Sequence, residues 1–162
     1  MNQDRQAQFD AYFLDHRARM WRIARAYAPD TPDDLFQELA LQFWQSLARF
    51  EGKCELTTWA YRVHLNTAMS WRRRAARRRR LPITSSATEQ LIDPASNNTE
   101  SIDLDIRLKQ ILEALGETDR GVLLMLLDNI PTEQIADVMG VSEGAIRVRL
   151  HRIRKRIEEG NV

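Results

Sequence analysis

Arginine side chains dominate the chemistry that this sequence could perform. Residues 61–80 carry eight basic and no acidic side chains, and residues 142–162 carry six basic against three acidic ones. The interval 81–141 between these two blocks is acidic, with eleven carboxylates against three basic side chains. Arginine pairs closely with phosphate oxygens, so two separated basic blocks predict two contacts with a polyanion. The net charge of +1 hides this separation.

Residues that could carry catalysis or bind a metal ion are scattered. His16, His64 and His151 lie far apart in the sequence and Cys54 is the single cysteine. Neither a metal-ligand set nor a nucleophile–base pair is indicated, and there is no glycine-rich phosphate loop. We therefore expect no catalytic residue, no metal and no cofactor. The residual enzyme alternative is metal-dependent hydrolysis of nucleic acid, which a chelator would abolish.

The sequence also limits the compartment and the redox chemistry that can be expected for the protein. One cysteine excludes an internal disulfide, and Cys54 is expected to be a passive thiol. The sequence contains no long apolar run, and its polar N-terminal stretch does not resemble a signal peptide. We expect a cytoplasmic protein that makes no contact with a membrane.

Residues 130–157 predict two helices joined by a tight turn. Pro131 and Thr132 suit a helix start, Gly140 suits a helix end, and Ser142 can cap the helix that follows. In that second helix an apolar seam recurs at i, i+4, i+7 and i+11, formed by Ile146, Leu150, Ile153 and Ile157. The opposite half of this helix carries Arg147, Val148, His151 and Arg152. This arrangement is typical of a helix-turn-helix that enters the DNA major groove, and the alternative is a helical hairpin with solvated arginines.

The first part of the chain predicts three helices, at about residues 5–27, 31–50 and 57–80. In the third, Trp59 and Val63 are expected to face inward, and the helix then runs into a cluster of arginines. This cluster consists of Arg72, Arg73, Arg74, Arg77, Arg78, Arg79 and Arg80. Phosphates would relieve the repulsion among these charges, and the aromatic side chains before them could stack on unpaired bases. The alternative is a solvated basic end of a helix.

The fold predicted from these patterns is all-α. Two small helical domains, residues 1–80 and 102–162, are joined by a flexible linker at residues 81–101, which is rich in Ser, Thr, Asn and Pro. The second domain contains two amphipathic helices followed by the helix-turn-helix. No strand pattern is present in the sequence.

Taken together, these segments resemble the extracytoplasmic-function (ECF) group of bacterial RNA polymerase sigma factors, which is group 4 of the sigma-70 family. The resemblance covers nearly the whole chain. It rests on DDLFQELALQFWQSLARF, TTWAYRVHLNTA with the arginine run, and IADVMGVSEGAIRVRLHRIRKRI. It implies that residues 1–80 are sigma region 2 and residues 102–162 are sigma region 4. The chain would then be a dissociable specificity subunit of RNA polymerase, without enzyme activity of its own.

The resemblance also implies roles for individual residues. Docking on the core polymerase is implied for Asp33, Asp34, Gln37, Glu38 and Trp44. Capture of unpaired −10 bases is implied for Phe50, Trp59, Arg62, Asn66 and Ser70. Reading of the −35 element is implied for Arg147, Val148, His151 and Arg152. Contacts to the DNA backbone are implied for Arg72, Arg73, Arg74, Arg77, Ser142 and Arg149. Ser70 stands where the family pattern often has Asp, which changes one −10 contact.

The partners that the resemblance implies are bacterial core RNA polymerase, through its β′ clamp helices and β flap, and promoter DNA, both duplex and single-stranded. An anti-sigma factor that binds between the two domains is a further implication of the family. The competing interpretation is a free-standing regulator that reads a palindrome as a dimer. Specific DNA binding without polymerase would favour it. For Trp44, a core position and a partner contact both remain open.

Overall fold

The computed structural model describes residues 2–79, the first half, and residues 99–160, the second half. The first half forms α1 (Asn2–Tyr27), α2 (Pro32–Ser46), a 3-10 turn (Leu47–Arg49) and α3 (Leu56–Arg79). The second half forms α4 (Thr99–Ala114), α5 (Glu117–Leu127), α6 (Thr132–Met139) and α7 (Glu143–Glu158). The described ranges contain no strand, so the all-α prediction is confirmed.

The predicted linker, residues 81–101, lies mostly outside the described residues. Its last three residues already belong to α4, which begins at Thr99. The second helical unit therefore starts slightly earlier than the sequence pattern indicates, because the Ser- and Thr-rich composition hides the first turn of the helix.

In the first half, α1, α2 and α3 pack around one core. Pro32 opens α2, and the carboxylates of Asp33 and Asp34 lie in its first turn, where the helix dipole favours negative charge. The fully buried apolar side chains of this core include Met20, Ala24, Leu35, Leu39, Phe43, Ala60 and Ala68.

The buried side of α3 is broader than predicted. Trp59 and Val63 are half-buried and pack against the core, in agreement with the prediction, but the buried side chains include Ala60, Tyr61, His64, Leu65 and Ala68. The sequence pattern misleads here because the inward-facing set includes two polar aromatic residues and two alanines. Such residues carry little hydrophobic signal.

The helix-turn-helix in the second half follows the predicted geometry closely. Gly140 has a φ of +67°, the left-handed conformation that ends α6. Ser142 caps α7, and its Oγ accepts a hydrogen bond from the Ala145 backbone N–H at 3.2 Å. Ile146 and Ile153 of the predicted seam are buried. One detail is wrong: Pro131, not Thr132, occupies the N-cap position of α6, so no side chain caps that helix.

The two halves contact each other, which the sequence does not predict. α5 and α4 pack on α1, and α6 packs on α3. The side chain of Arg120 on α5 is fully buried at this junction. Its Nη1 donates to the carbonyl of Ala26 in α1 at 2.8 Å, and its Nη2 donates to the carbonyl of Leu115 at 3.1 Å. A single guanidinium therefore satisfies carbonyl groups of both halves.

His64 is a buried polar group in the core of the first half. Its ring lies 5.8 Å from that of Tyr12 and 5.5 Å from that of Phe43, measured between centroids. Within the described part of the chain, neither ring nitrogen makes a hydrogen bond. Burial lowers the pKa of His64 to about 3, and the positive charge of Arg19 adds to this effect. His64 is therefore neutral in the folded protein.

This burial predicts a pH dependence of folding. The unfolded histidine binds a proton below pH 6.5, whereas folded His64 stays neutral down to about pH 3. The unfolded state therefore binds more protons in this window, and stability falls as the pH falls, by up to ~1.4 kcal/mol per pH unit from this residue. His64→Leu should flatten the dependence of the free energy of unfolding on pH between about 6.5 and 4, measured by chemical denaturation.

His16, whose pKa burial also lowers, is present in both proteins, so the difference between the two curves isolates His64. His151→Gln replaces an exposed histidine of α7 and is the matched control. Parallel curves for the parent protein and His64→Leu would contradict the assignment.

Candidate nucleic-acid interfaces

One face of α3 presents the residues expected to contact −10 bases. Trp59, Arg62, Asn66 and Ser70 follow one another at intervals of three or four residues, which places them on the same side of a helix. This α3 face is roughly 17 Å long at 1.5 Å per residue. The Asn66 side chain is exposed, and the other three are half-buried.

Two aromatic rings, those of Phe50 and Trp59, lie close together at the N-terminal end of the α3 face. Phe50 follows the 3-10 turn, and its ring centroid is 5.7 Å from that of Trp59. The Trp59 Nε1 donates to Ser46 Oγ at 3.3 Å, which fixes the orientation of the indole. Both rings are half-buried, so each keeps an accessible surface on which an unpaired base could stack.

Two polar residues of the α3 face are already engaged. The guanidinium of Arg62 donates to the main-chain carbonyl of Asp137 on α6. The Ser70 Oγ accepts a hydrogen bond from Arg73 at 3.1 Å. In this arrangement Arg62 is therefore tied to the second half rather than presented to a ligand.

The arginines of the cluster at the end of α3 make two kinds of contact, one with the second half and one with Trp71. Arg72 faces the second half, with its Nε 4.0 Å from a carboxylate oxygen of Glu117. The guanidinium groups of Arg74 and Arg78 lie 5.8 and 5.9 Å from the ring centroid of Trp71. The exposed arginines expected to contact the DNA backbone are Arg73, Arg74 and Arg77. Arg80 lies outside the described residues.

The outer face of α7 is the second candidate interface. Its exposed side chains are Arg147, Val148, His151 and Arg152. Val148 is 51% exposed, although valine is usually buried. An exposed methyl-bearing side chain between two arginines suits contact with a thymine methyl group. Arg147 also pairs with Glu143 one turn earlier, at 2.6 Å.

The two residues of the second half that were expected to contact the DNA backbone already have partners within the same half. Ser142 caps α7, as described above. Arg149 forms an ion pair with Asp119 of α5, with 2.6 Å between Nη1 and Oδ1. Arg149 therefore joins α7 to α5 in addition to any contact with DNA.

The residues expected to dock on polymerase share one side of α2. Asp33, Asp34 and Gln37 are exposed, and Glu38 is half-buried and accepts a hydrogen bond from Gln42 at 3.1 Å. Trp44 lies further along the same side and is also half-buried.

The surroundings of Trp44 are compatible with both interpretations that the sequence left open, a core position and a partner contact. Its ring meets that of Phe9 edge-on at 5.4 Å, and the guanidinium of Arg5 lies 4.2 Å from its centroid. Because the side chain is only half-buried, part of its surface remains accessible.

Sequence reasoning missed the residues at the junction of the two halves, above all Arg120, Gly121 and Asp128. A charged residue next to a glycine at the start of the leucine-rich stretch of α5 was the one available signal. Nothing in the local pattern indicates which distant residues they contact.

Neither a metal centre nor a membrane span appears in the part of the chain that the structure describes. Residues 2–79 and 99–160 contain no group of three or more His, Cys, Asp or Glu side chains that could hold a metal ion. In the same ranges, no helix is both long enough and apolar enough to cross a bilayer.

Comparison with protein families matches both halves. Residues 12–78 match the model of sigma-70 region 2, and residues 105–157 match the model of sigma-70 region 4. The ECF RNA polymerase sigma-E factor of Escherichia coli (strain K12) is 28% identical over 167 residues, covering 94% of this chain and 86% of the relative. A probable RNA polymerase sigma factor, RfaY of Xanthomonas campestris, is 28% identical over 130 residues, covering 75% of this chain and 32% of the relative.

Two solved structures share the fold. One is the sigma factor RpoE in complex with the anti-sigma factor NepR from Bartonella quintana, with a TM-score of 0.75, 22% identity and coverage of 94% of this chain and 95% of that one. The other is CnrH in complex with the cytosolic domain of CnrY, with a TM-score of 0.65, 21% identity and coverage of 95% and 87%. The chain belongs to the sigma-70 family, in its ECF group. Members of this family direct transcription initiation as specificity subunits and are not catalytic enzymes.

The contribution of the Arg149–Asp119 ion pair to stability can be measured separately from any contact that Arg149 makes with DNA. Arg149→Ala and Asp119→Asn, made singly and together, should show a coupling free energy of about 0.2–1 kcal/mol in chemical unfolding, since both side chains are partly exposed. The matched control cycle pairs Arg154→Ala with Asp119→Asn and should show no coupling. Additive effects of the Arg149 and Asp119 substitutions would remove the structural role and leave only the predicted contact with DNA.

Proposed function

We propose that this chain binds core RNA polymerase and presents two DNA-reading faces to a promoter. The outer face of α7 reads the −35 element as duplex, and the α3 face with Phe50 captures unpaired bases of the −10 element. One observation carries this proposal. An exposed basic helix face after a helix-turn-helix occurs in one half, and an aromatic and amide face next to an arginine cluster occurs in the other.

The α7 face has the chemistry needed to read base pairs. Arg147 and Arg152 can each donate two hydrogen bonds to the major-groove edge of guanine, a contact that contributes about 1–3 kcal/mol of discrimination. Val148 lies between them in the sequence and can contact a thymine methyl group. All of these side chains are exposed on a helix that follows the turn at Gly140, the geometry of a recognition helix.

The α3 face has the chemistry needed to hold bases that have left the duplex. Removing a base from the stack costs a few kcal/mol, and a protein offsets this cost by stacking and edge hydrogen bonds. Phe50 and Trp59 offer ring surfaces, each worth about 1–3 kcal/mol per stacked base. The exposed amide of Asn66 supplies both a donor and an acceptor. Exposed arginines one to three turns further along can hold the adjacent phosphates.

The acidic side of α2 fits a basic partner surface, which we propose is the clamp-helix region of the polymerase β′ subunit. Asp33, Asp34 and Glu38 supply the charge, and Trp44 supplies an accessible aromatic surface further along the helix. We further propose that the second half contacts the β flap and that an anti-sigma factor regulates the chain. One protein whose fold matches this chain, the sigma factor RpoE from Bartonella quintana, is described in complex with the anti-sigma factor NepR, which supports this part of the proposal.

Run-off transcription tests the proposal as a whole. The purified chain and bacterial core RNA polymerase, alone and together, are supplied with promoter fragments from the source genome. Discrete transcripts that require both proteins are the expected result, and their start sites would define the −35 and −10 sequences. Specific DNA binding by the chain alone, without such transcripts, would identify a free-standing regulator instead.

The α7 face generates a prediction about specificity. Arg147→Ala or Arg152→Ala should weaken the preference for the correct −35 sequence over a mutated one by about 1–3 kcal/mol, because a bidentate guanine contact is lost. Affinity for core polymerase should not change. Competition transcription with the two promoters measures the preference. Arg154→Ala removes the same charge from the same helix nearer its C-terminus and should leave the preference intact; full discrimination in the Arg147 and Arg152 variants would rule out this recognition face.

The α2 surface generates a prediction about polymerase binding. Asp34→Ala combined with Glu38→Ala should reduce affinity for core polymerase on the order of tenfold, because two charges that face a basic partner are removed. Fluorescence anisotropy of the labelled chain measures this affinity. Asp10→Ala combined with Asp15→Ala removes two charges from α1 and serves as the control. Equal affinities for the two double variants would show that docking uses a different surface.

A further inference from the structure

The recognition helix α7 begins with a carboxylate, although the rest of the helix is basic. Glu143 lies in its first turn, and residues 144–157 contain six arginine and lysine side chains and no acidic one. DNA phosphates repel a negative charge at this place, so Glu143 lowers the affinity of α7 for any duplex that it approaches. A stabilising role within the protein would have to outweigh this repulsion.

The start of α7 does not depend on Glu143. Ser142 is the N-cap, and its Oγ accepts the hydrogen bond from the Ala145 N–H at 3.2 Å. The Glu143 carboxylate reaches forward instead, with Oε1 2.6 Å from Nη2 of Arg147, one turn later. Because both side chains of this pair are exposed to solvent, the pair contributes little to stability. Stability alone is therefore a weak reason for a glutamate at this position.

The Glu143–Arg147 pair lies along the line of the reading face. Glu143, Arg147 and His151 recur at intervals of four residues, so their side chains follow one another on the same side of α7. The Glu143 side chain is 43% exposed and that of Arg147 is 70% exposed. In a helix-turn-helix, the N-terminal residues of the recognition helix contact base edges in the major groove. Glu143 therefore lies where base pairs are read.

The residue after Glu143 leaves the first turn of α7 without a side chain. Apart from the backbone of α7 and the adjoining residues, a Cβ on Gly144 would meet nothing closer than the Ser142 Oγ, at 4.0 Å. The packing of the protein therefore does not require glycine here, and glycine within a helix is less favourable than alanine. A residue without a side chain does allow a ligand to approach the helix closely. Gly144 thus supports close contact between DNA and the turn that carries Glu143.

A carboxylate and a guanidinium that are held together can read two bases. Arginine donates two hydrogen bonds to the major-groove edge of guanine, and glutamate accepts one from the amino group of cytosine. One oxygen of Glu143 holds Arg147, and the other can still accept a hydrogen bond from a base. Successive turns of a helix are about 5.4 Å apart and successive base pairs about 3.4 Å apart, so the two side chains reach bases within about two pairs of each other. The ion pair also orders the guanidinium before DNA binds, which lowers the entropy lost on binding.

We propose that Glu143 is a specificity-determining residue of the −35 reading face. Its carboxylate orients the guanidinium of Arg147 and accepts a hydrogen bond from a cytosine within about two base pairs of the guanine that Arg147 contacts. At the cytosine position the same charge repels the O4 acceptor of thymine and the O6 acceptor of guanine, so Glu143 lowers affinity for other sequences and raises selectivity. This inference rests on the proposed function, to which it adds a contact and a preferred base.

Glu143→Gln tests the inference because it removes the charge and keeps the length of the side chain. Core polymerase with each variant transcribes a pool of promoters whose −35 positions are randomised, each linked to a barcode in the transcribed region. Sequencing of the transcripts then gives the base preference at every position, and the guanine read by Arg147 is the one whose preference Arg147→Ala abolishes. Glu143→Gln should lower the preference for the nearby cytosine on the order of tenfold, and should raise transcription from promoters with thymine or guanine there.

A double variant separates base reading from positioning. Glu143→Gln should also weaken the guanine preference of the parent chain, but by less than Arg147→Ala does. In an Arg147→Ala background it should still lower the cytosine preference. Glu158→Gln removes the same charge from the last turn of α7 and should leave every preference unchanged. Glu143→Ala should show the same losses and keeps the test valid if Glu143→Gln does not fold, which circular dichroism shows.

Failure of this inference is distinguishable from failure of the proposed function. A parent chain without a cytosine preference within two base pairs of that guanine would overturn the reading role of Glu143, as would folded Glu143 variants that keep the preference or change transcription from all promoters equally. An unchanged guanine preference in Glu143→Gln would overturn its positioning role. Failure of the parent chain to direct promoter-specific transcription with core polymerase would instead overturn the proposed function.

Discussion

The first half depends on the burial of one side of α3. Ala60, His64 and Ala68 follow one another at successive turns and are completely buried. Because side-chain directions along a helix are fixed by its period, burial of this stripe determines where every other residue of α3 points. The face with Asn66 is directed outward as a consequence, and the side with Tyr61 is left to meet the second half. The core, the candidate −10 face and the junction therefore share one helix.

The acidic interval of the sequence explains how so many arginines are accommodated without DNA. Residues 81–141 supply Glu117, Asp119 and Asp128, which pair with arginines on α3, α7 and α1. Each partner is a carboxylate that a phosphate could replace. The segregation of charge along the sequence is thus partly cancelled in three dimensions, and the most exposed arginines of α3 and α7 remain available.

Features that depend on near neighbours were predictable from the sequence, and features that depend on distant ones were not. The seam of α7, the left-handed Gly140 and the cap at Ser142 follow from residues within one or two turns, and all three are present. The inward side of α3 was misjudged because His64 and Tyr61 carry a weak hydrophobic signal. Asp128 contacts Tyr61 and Arg22, which lie 67 and 106 positions away in the sequence, a relationship that no periodicity encodes.

The chemistry of the junction sets how readily it can open. Its described contacts are mostly ion pairs and hydrogen bonds to carbonyls, groups that water solvates well once they separate. An open cleft of about 550 Å³ also remains between the end of α1, the last turns of α3 and α5. Apolar contacts add to these polar ones, because the Leu65 side chain lies against Gly121 and the buried apolar side chains of both halves belong to one cluster.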